Sequence, residues 1–413
     1  MFAKIKVLTA ALVILTATSQ AQIVYDTVSL GAGYANQKWY SLQNDEQGSA
    51  PKNNWDIAFE CAPYGTSILI NSVTGTKLWL YATGDTATWN TLDTTGMAAT
   101  WPLKYNSDTS WYFGAFSQPQ TSQYDLGWGI YNPITHFVDG DSLYVIKLAN
   151  NSYRKIWIKQ LNSGSFIFRY GTLDNSFDTT VTVQKSTFSG DLFGYYSLQN
   201  NAELDREPAQ TSWDILFTQY TTFLPTPYGV TGVLSNNGVL VAQAVPVDVT
   251  TNDWWSQTFV TPINEIGYDW KTLNMSTFQY DITDSLVYFV QDQAGDIWKV
   301  IFTGFGGSAN GNYMFSKEKI SSTGFNDGEH QQSFGLYPNP AVNGSATVVT
   351  TLGASQEGTV TATDITGKVI HTEQLQGAGL QQTTLNTSTW SPGIYFITVL
   401  SDGISLTQKL VVQ

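Results

Sequence analysis

Few residues of this 413-residue chain are of the types that usually carry enzyme chemistry. The sequence has three histidines, His136, His330 and His371, and one cysteine, Cys61. A serine–histidine–aspartate triad would have to use His136, and the chain contains no Gly-x-Ser-x-Gly nucleophile turn. The histidines are far apart in sequence and Cys61 is alone, so no metal-ligand spacing is present. The sequence therefore predicts neither a triad hydrolase nor a metal centre.

Two pairs of aspartates could act as the acid and base of a glycosidase if they faced a cleft. They are Asp139 with Asp141, and Asp281 with Asp284. Both pairs lie where hairpin turns are predicted, and aspartate is favoured in turns because it hydrogen-bonds the local backbone. A glycine-rich run at 304–309 resembles a dinucleotide loop, but a predicted strand follows it instead of a helix. We therefore expect hairpin loops at these places and no enzyme activity.

The composition favours strands over helices. The chain contains 14 Trp and 22 Tyr, and only 13% of its residues are charged. Aromatic and β-branched residues are typical of strands, and the many Gly, Asn and Ser residues are typical of turns. The net charge of −14 makes nucleic acid and anionic membranes poor partners. We predict an all-β, or at least β-dominated, protein.

The N-terminus has the pattern of a signal peptide, predicted at 1–21. Lys4 and Lys6 precede an apolar run at 7–17, and Ser-Gln-Ala at 19–21 is a small-x-small cleavage site. No segment is long enough for a transmembrane helix. With a single cysteine, an intramolecular disulfide framework is excluded even in an exported protein.

A duplication organises the chain. Tyr-Ser-Leu-Gln-Asn occurs at 40–44 and again at 196–200, and Trp-Asp-Ile-x-Phe follows at 55–59 and at 213–217. Two blocks repeated in the same order indicate an internal repeat. Weaker echoes continue to the end of each copy.

We predict two tandem antiparallel β domains, at 22–187 and 188–324, although a shared sheet remains possible. A polar linker is predicted at 325–333 and a small immunoglobulin-like β-sandwich at 334–413.

Alternation within the repeated Trp-Asp-Ile-x-Phe block indicates a strand with one buried face. Trp55 and Trp213 are therefore predicted core anchors. Asp56 and Asp214 are expected to face outward or to hold a neighbouring turn.

The C-terminal segment resembles a type A sorting domain of the type IX secretion system of Bacteroidota. The matching pieces occur in the expected order, Leu-Tyr-Pro-Asn-Pro at 336–340, Asp-Ile-Thr-Gly-Lys at 364–368, Pro-Gly-Ile-Tyr-Phe at 392–396 and Lys-Leu-Val-Val at 409–412. The resemblance implies the type IX machinery as a partner and passage through the periplasm to a secreted or cell-surface location. It also implies removal of this domain.

The two repeats are similar to the HmuY-like haem-binding family of the same bacteria. Those domains open with an aromatic-Ser/Thr-Leu segment, Trp-Asp-Ile-Ala-Phe and an Asn/Gly-rich turn. Here 55–59 with 70–72, and 213–217 with 235–238, fit that pattern, and the likeness weakens beyond the first third of each repeat. The resemblance implies a β-dominated fold and makes haem, a related porphyrin or a haemoprotein the first partner to test.

Haem iron takes His, Met, Cys or Tyr as axial ligands. His330 lies in the predicted linker and His371 in the sorting domain, so His136 is the candidate histidine. Met97 is a candidate second ligand in the first repeat, together with tyrosines, and Met275 is the nearby candidate in the second repeat.

An alternative from another class is surface adhesion through glycan binding. Exposed Trp and Tyr rings stack on sugars, and the pairs Trp254–Trp255 and Trp111–Tyr112 could form such platforms. The same residues could equally fill two modest β cores, because sequence does not reveal exposure.

Overall fold

The computed structural model describes residues 22–118, 120–321, 334–342, 344–352, 357–377, 379–401 and 404–412. The chain divides into two compact units, the first ending at Thr323 and the second beginning at Gly324. The predicted signal peptide at 1–21 and the predicted linker at 325–333, with His330, lie outside the described residues. The sheets are antiparallel and strands dominate, so the predicted fold class is confirmed.

The first unit contains 23 strands and, as its only α-helices in the described part, two single turns. The strands are β1 Val24–Ser29, β2 Asn36–Ser41, β3 Asp45–Pro51, β4 Ile57–Glu60, β5 Ile68–Ile70, β6 Lys77–Leu80, β7 Leu103–Lys104, β8 Gly129–Tyr131, β9 Val138–Gly140, β10 Tyr144–Lys147, β11 Tyr153–Asn162, β12 Ser165–Gly171, β13 Asp178–Gln184, β14 Phe193–Ser197, β15 Ala202–Leu204, β16 Ile215–Phe223, β17 Pro227–Ser235, β18 Leu240–Ala244, β19 Lys271–Asn274, β20 Gln279–Ile282, β21 Val287–Gln291, β22 Ile297–Phe305 and β23 Asn312–Ser321. The helices are α1 Met97–Thr100 and α2 Gly307–Asn310, and short 3-10 turns lie at Ala32–Tyr34, Ser72–Thr74, Thr86–Thr88, Ala115–Ser117, Lys185–Phe188 and Gln210–Ser212.

This unit is built of two lobes, each with its own apolar core between two sheets. In the first lobe, the sheet β13-β12-β11-β10-β6-β7, extended by β8 and β9, faces the sheet β15-β14-β4-β5. In the second lobe, the sheet β1-β23-β22-β21-β18 faces β17-β16-β2-β3, with the hairpin β19-β20 beside them. The two lobes thus have the same layered plan, as expected of a duplication.

The repeats exchange their first strands. β2 and β3, near the start of the first repeat, join the second lobe through pairing of β2 with β16. β14 and β15, from the second repeat, join the first lobe through pairing of β14 with β4. Segments of 22–187 and 188–324 therefore share sheets, while the division into two domains at these boundaries stays a prediction.

The repeated aspartates stabilise this exchange of strands through hydrogen bonds. Asp56 is fully buried and accepts hydrogen bonds from Ser197 Oγ at 3.3 Å and from the backbone and side chain of Gln199 at 3.2 and 2.9 Å. Asp214 makes the reciprocal contact, accepting from the Leu42 N–H at 2.7 Å. Of the two expectations for these carboxylates, the outward-facing one is wrong, and the other is confirmed, because each holds a neighbouring turn in the Tyr-Ser-Leu-Gln-Asn segment of the other repeat.

The repeated tryptophans lie between the lobes. Trp55 and Trp213 are buried in an apolar cluster that also contains Trp39, Tyr195 and Leu216. The prediction that both are core anchors is confirmed. Their core is the layer where the two four-stranded sheets meet.

The second unit is a β-sandwich. Its strands are β24 Phe334–Val342, β25 Ser345–Leu352, β26 Glu357–Asp364, β27 Val369–Gln376, β28 Gly379–Asn386, β29 Gly393–Ser401 and β30 Ile404–Val412. The sheets β24-β25-β28 and β27-β26-β29-β30 enclose one core, to which Val348 and Leu385 contribute from the first sheet and Val360 and Ile397 from the second. In the described part of the chain, no helix has the length and apolar character needed to span a membrane.

Candidate functional site

Each lobe carries a hairpin whose turn has the same hydrogen bonds. In the first lobe, the Asn132 side chain accepts from two backbone N–H groups of the β8–β9 turn, and the His136 N–H donates to the Asn132 carbonyl at 2.8 Å. Asn274 and Phe278 make the same bonds in the β19–β20 turn. His136 and Phe278 both have positive φ, 60° and 53°. They are therefore equivalent positions.

A cleft of about 590 Å³ lies beside the β8–β9 hairpin. We name it the first cleft. Its apolar lining includes Leu126, Phe137, Val138 and Leu161, and His136 also lines it. The walls can therefore accept a flat apolar molecule, and the histidine adds a nitrogen donor.

The imidazole of His136 is held by a tyrosine. Tyr131 Oη lies 2.7 Å from His136 Nδ1, across the narrow hairpin. The ring is exposed, because the turn places it at the surface. When Nδ1–H donates to the tyrosyl oxygen, Nε2 carries the lone pair that can bind a metal.

The three candidate haem ligands lie in three different places. Met97 is buried in an aromatic cluster of the first lobe with Trp79 and Trp101, and it does not line the first cleft. Met275 is 70% exposed, in the β19–β20 turn of the second lobe. Only His136 lies at a cleft of suitable size. As ligands, all three stay predictions.

A second cleft, of about 510 Å³, lies beside the β19–β20 hairpin. Its lining carries an acidic and a basic side chain and four tyrosines, and it includes Tyr34, Tyr228, Tyr268, Asp269, Lys271 and Tyr280. Tyr268 lies two residues before the buried Trp270, as Leu126 lies two before the buried Trp128.

Lys271 is the buried charge of the second cleft, with 8% of its surface exposed. Its Nζ donates to the Thr231 and Tyr268 carbonyl oxygens at 2.7 and 3.1 Å and lies 4.3 Å from the centre of the Trp270 ring. Burial lowers the pKa of this ammonium to about 7. The equivalent residue of the first lobe is Gly129, where a Cβ would come within 2.6 Å of the Asp139 carbonyl oxygen.

Sequence reasoning missed Tyr131, Lys271 and the tyrosines of the second cleft. Aligning the two repeats on Trp128 with Trp270 would have found these positions, because the clefts differ there. The repeat echoes reach these hairpins, but they do not show which side chains line a cleft.

The aromatic pairs differ in exposure. Trp255 is 70% exposed and stands edge-on to the half-buried Trp254, with ring centres 6.1 Å apart. Trp111 is half-buried and its indole N–H donates to the Ser235 carbonyl at 2.9 Å, so only Tyr112 of that pair is exposed.

The aspartates predicted to lie in hairpin turns are placed differently. Asp139 lies within β9 and accepts from Gln160 Nε2 at 2.7 Å, and Asp281 lies within β20 and accepts from Asn274 Nδ2 at 2.9 Å. The turn prediction is therefore wrong for these two residues, because Asp139 pairs with Gln160 of β11 and Asp281 pairs with Thr272 of β19. The glycine-rich run at 304–309 does join β22 to β23, through α2.

Comparison with known proteins identifies the second unit. No curated protein matches the chain. Residues 335–413 match the family described as a secretion system C-terminal sorting domain. The chain thus carries a type IX sorting domain, which implies interaction with that machinery and a secreted or cell-surface location. It is a protein targeted for type IX secretion by its C-terminal domain.

Proposed function

We propose that the first unit is a non-enzymatic binding module and that its first cleft captures haem or a related porphyrin. The observation that carries the proposal is the His136 imidazole, fixed by Tyr131 and placed beside an apolar cleft of about 590 Å³. The resemblance of the repeats to HmuY-like domains points to the same ligand. Export directed by the sorting domain would place this cleft outside the cell or at its surface, where it could meet free haem.

The residues fit this ligand in three respects. The contact with Tyr131 fixes the orientation of the His136 ring, and Nε2 is available as an axial donor in the tautomer whose Nδ1–H donates to the tyrosyl oxygen. Leu126 and Leu161 provide apolar contacts for the macrocycle. Tyr64, which is 97% exposed and lines the same cleft, is a further side chain there of a type that binds haem iron, besides Tyr131.

The test is a haemin titration of residues 22–413, in which the sorting domain is retained, followed by absorbance. We expect a shifted Soret band, and we expect His136→Ala to abolish or displace it. His371→Ala is the matched control, because that histidine lies in the sorting domain and should leave the band unchanged. Absence of a Soret shift at micromolar protein, or a shift unaffected by His136→Ala, would overturn the proposal.

Glycan binding at the surface is the second candidate, and Trp255 favours it. Its ring is 70% exposed, while Trp254 packs against an apolar cluster and supports it from the side. A fixed, exposed indole is suited to stacking on the C–H face of a sugar. Loss of glycan binding in Trp255→Ala, with Tyr112→Ala unchanged, is the expected result. Loss of glycan binding in Tyr112→Ala, with Trp255→Ala unchanged, would favour the Trp111–Tyr112 pair.

A further inference from the structure

We propose that the second cleft is a separate binding site for a neutral carbohydrate. The proposal deepens the second candidate function and gives it a location away from the Trp254–Trp255 pair. It rests on a cleft of about 510 Å³ whose lining combines tyrosine rings with polar groups.

The first argument comes from the differences between the repeats. The hydrogen bonds that close the two hairpin turns are the same, because Asn132 and Asn274 each accept from two backbone N–H groups. Three positions that line both clefts change between aliphatic and tyrosine, Leu126 to Tyr268, Val138 to Tyr280 and, in the opposite sense, Tyr131 to Leu273.

If the second cleft had merely lost its function, substitutions would also have altered the turn that supports its walls. Because residues that line the cleft have changed while the turn hydrogen bonds are kept, we infer that the second cleft has a different ligand.

The second argument is the chemistry of the lining. The Tyr228 ring is 63% exposed and offers a flat face for the apolar side of a pyranose. Tyr34 and Tyr280 line the same cleft and add phenol hydroxyls that can donate to and accept from sugar hydroxyls. Asp269 adds an exposed carboxylate that can accept from sugar hydroxyls. Stacking faces beside donors and acceptors suit a carbohydrate.

The third argument excludes an anionic ligand. Lys271, the cation that lines the cleft, already donates to two carbonyl oxygens and lies over the Trp270 ring. It is only 8% exposed, while the nearby Asp269 is exposed and negative. The chain also carries a net charge of −14. Repulsion would therefore weaken binding of an acidic polysaccharide, and a neutral one is favoured.

The test is isothermal titration of the mature full-length protein with cellohexaose, mannohexaose, xylohexaose and maltohexaose. We expect saturable binding of at least one of them. Tyr228→Ala combined with Asp269→Ala should weaken that binding about tenfold or more, since two direct contacts are lost. Both side chains are exposed, so the variant keeps its fold. Tyr25→Ala is the control, because that exposed tyrosine of β1 lines neither cleft.

The possible outcomes separate the site from the broader function. Binding that survives in the double variant and is lost in Trp255→Ala would support a glycan-binding role and overturn this site. Failure of all four sugars to bind would overturn the proposal. The haemin titration reports the first cleft independently, because its absorbance depends on His136.

Discussion

The two lobes of the first unit share a frame and differ in the clefts beside it. Both use an asparagine to close the hairpin turn, and both bury a tryptophan just before the hairpin, Trp128 in one and Trp270 in the other. Both clefts have an exposed tyrosine in the repeated Pro-Tyr-Gly segment, Tyr64 in the first and Tyr228 in the second. The first cleft differs in having Leu126, Val138 and a histidine where the second has Tyr268, Tyr280 and a lysine nearby. The turn bonds thus agree between the lobes, and several lining residues differ.

Buried lysines extend the comparison. Lys185 lies 5.3 Å from the centre of the Phe166 ring in the first lobe, and Lys271 lies 5.9 Å from the centre of the Tyr313 ring in the second. The two rings are equivalent, because each begins an aromatic-x-Phe segment in the corresponding strand of its lobe, β12 in the first and β23 in the second. The lysines come from different segments, yet each bonds two backbone carbonyls. Each lobe therefore holds its loops with an ammonium at one end of the core.

The largest predicted effect tests the shared frame. Asp56→Ala and Asp214→Ala should each lower the free energy of unfolding by about 3 kcal/mol, because each leaves buried donors of the other repeat without an acceptor. Urea unfolding of the mature chain, followed by tryptophan fluorescence, measures the loss. Asp141→Ala is the control, since its exposed carboxylate contacts only the neighbouring Ser142. A large loss for one aspartate alone would show that the exchange is not reciprocal.

The strands and core anchors were predictable from sequence because alternation and turn residues act locally. Trp55 and Trp213 were placed in the core by their positions in the repeated block. The strand exchange was not predictable, since Tyr40 has the same neighbours in sequence whichever copy of the strand it pairs with. The clefts were missed for a similar reason. Tyr131 acts across a hairpin, and Lys271 is buried by residues distant in sequence.

A smaller effect concerns the lysine that distinguishes the second cleft. Lys271 has a pKa near 7 when folded, against 10.5 ordinarily, so above neutral pH the unfolded chain binds more protons at this residue. Its contribution therefore raises the free energy of unfolding by about 2 kcal/mol between about pH 7 and about pH 9 and is flat below that window.

Subtracting the unfolding curves of Lys271→Met from those of the wild type isolates this residue. Lys77→Met, a change at an exposed position, serves as the control. If the rise in the free energy of unfolding between about pH 7 and about pH 9 persists in Lys271→Met, Lys271 is not its source and is solvated in the folded protein.

The smallest predicted effect separates the shared turn from the cleft beside it. Asn132→Ala and Asn274→Ala each remove a side-chain oxygen that accepts two backbone N–H groups, at 2.9 and 3.3 Å in the first turn and 3.0 and 3.3 Å in the second. Each should cost about 1 kcal/mol, because water can replace part of these bonds at the surface. Thermal unfolding should find the loss slightly larger for Asn274→Ala, because that amide also donates to Asp281 at 2.9 Å. Haemin binding should distinguish them, since only Asn132 fixes the turn that carries His136. Equal weakening of haemin binding by both variants would mean that the first cleft is not the haem site.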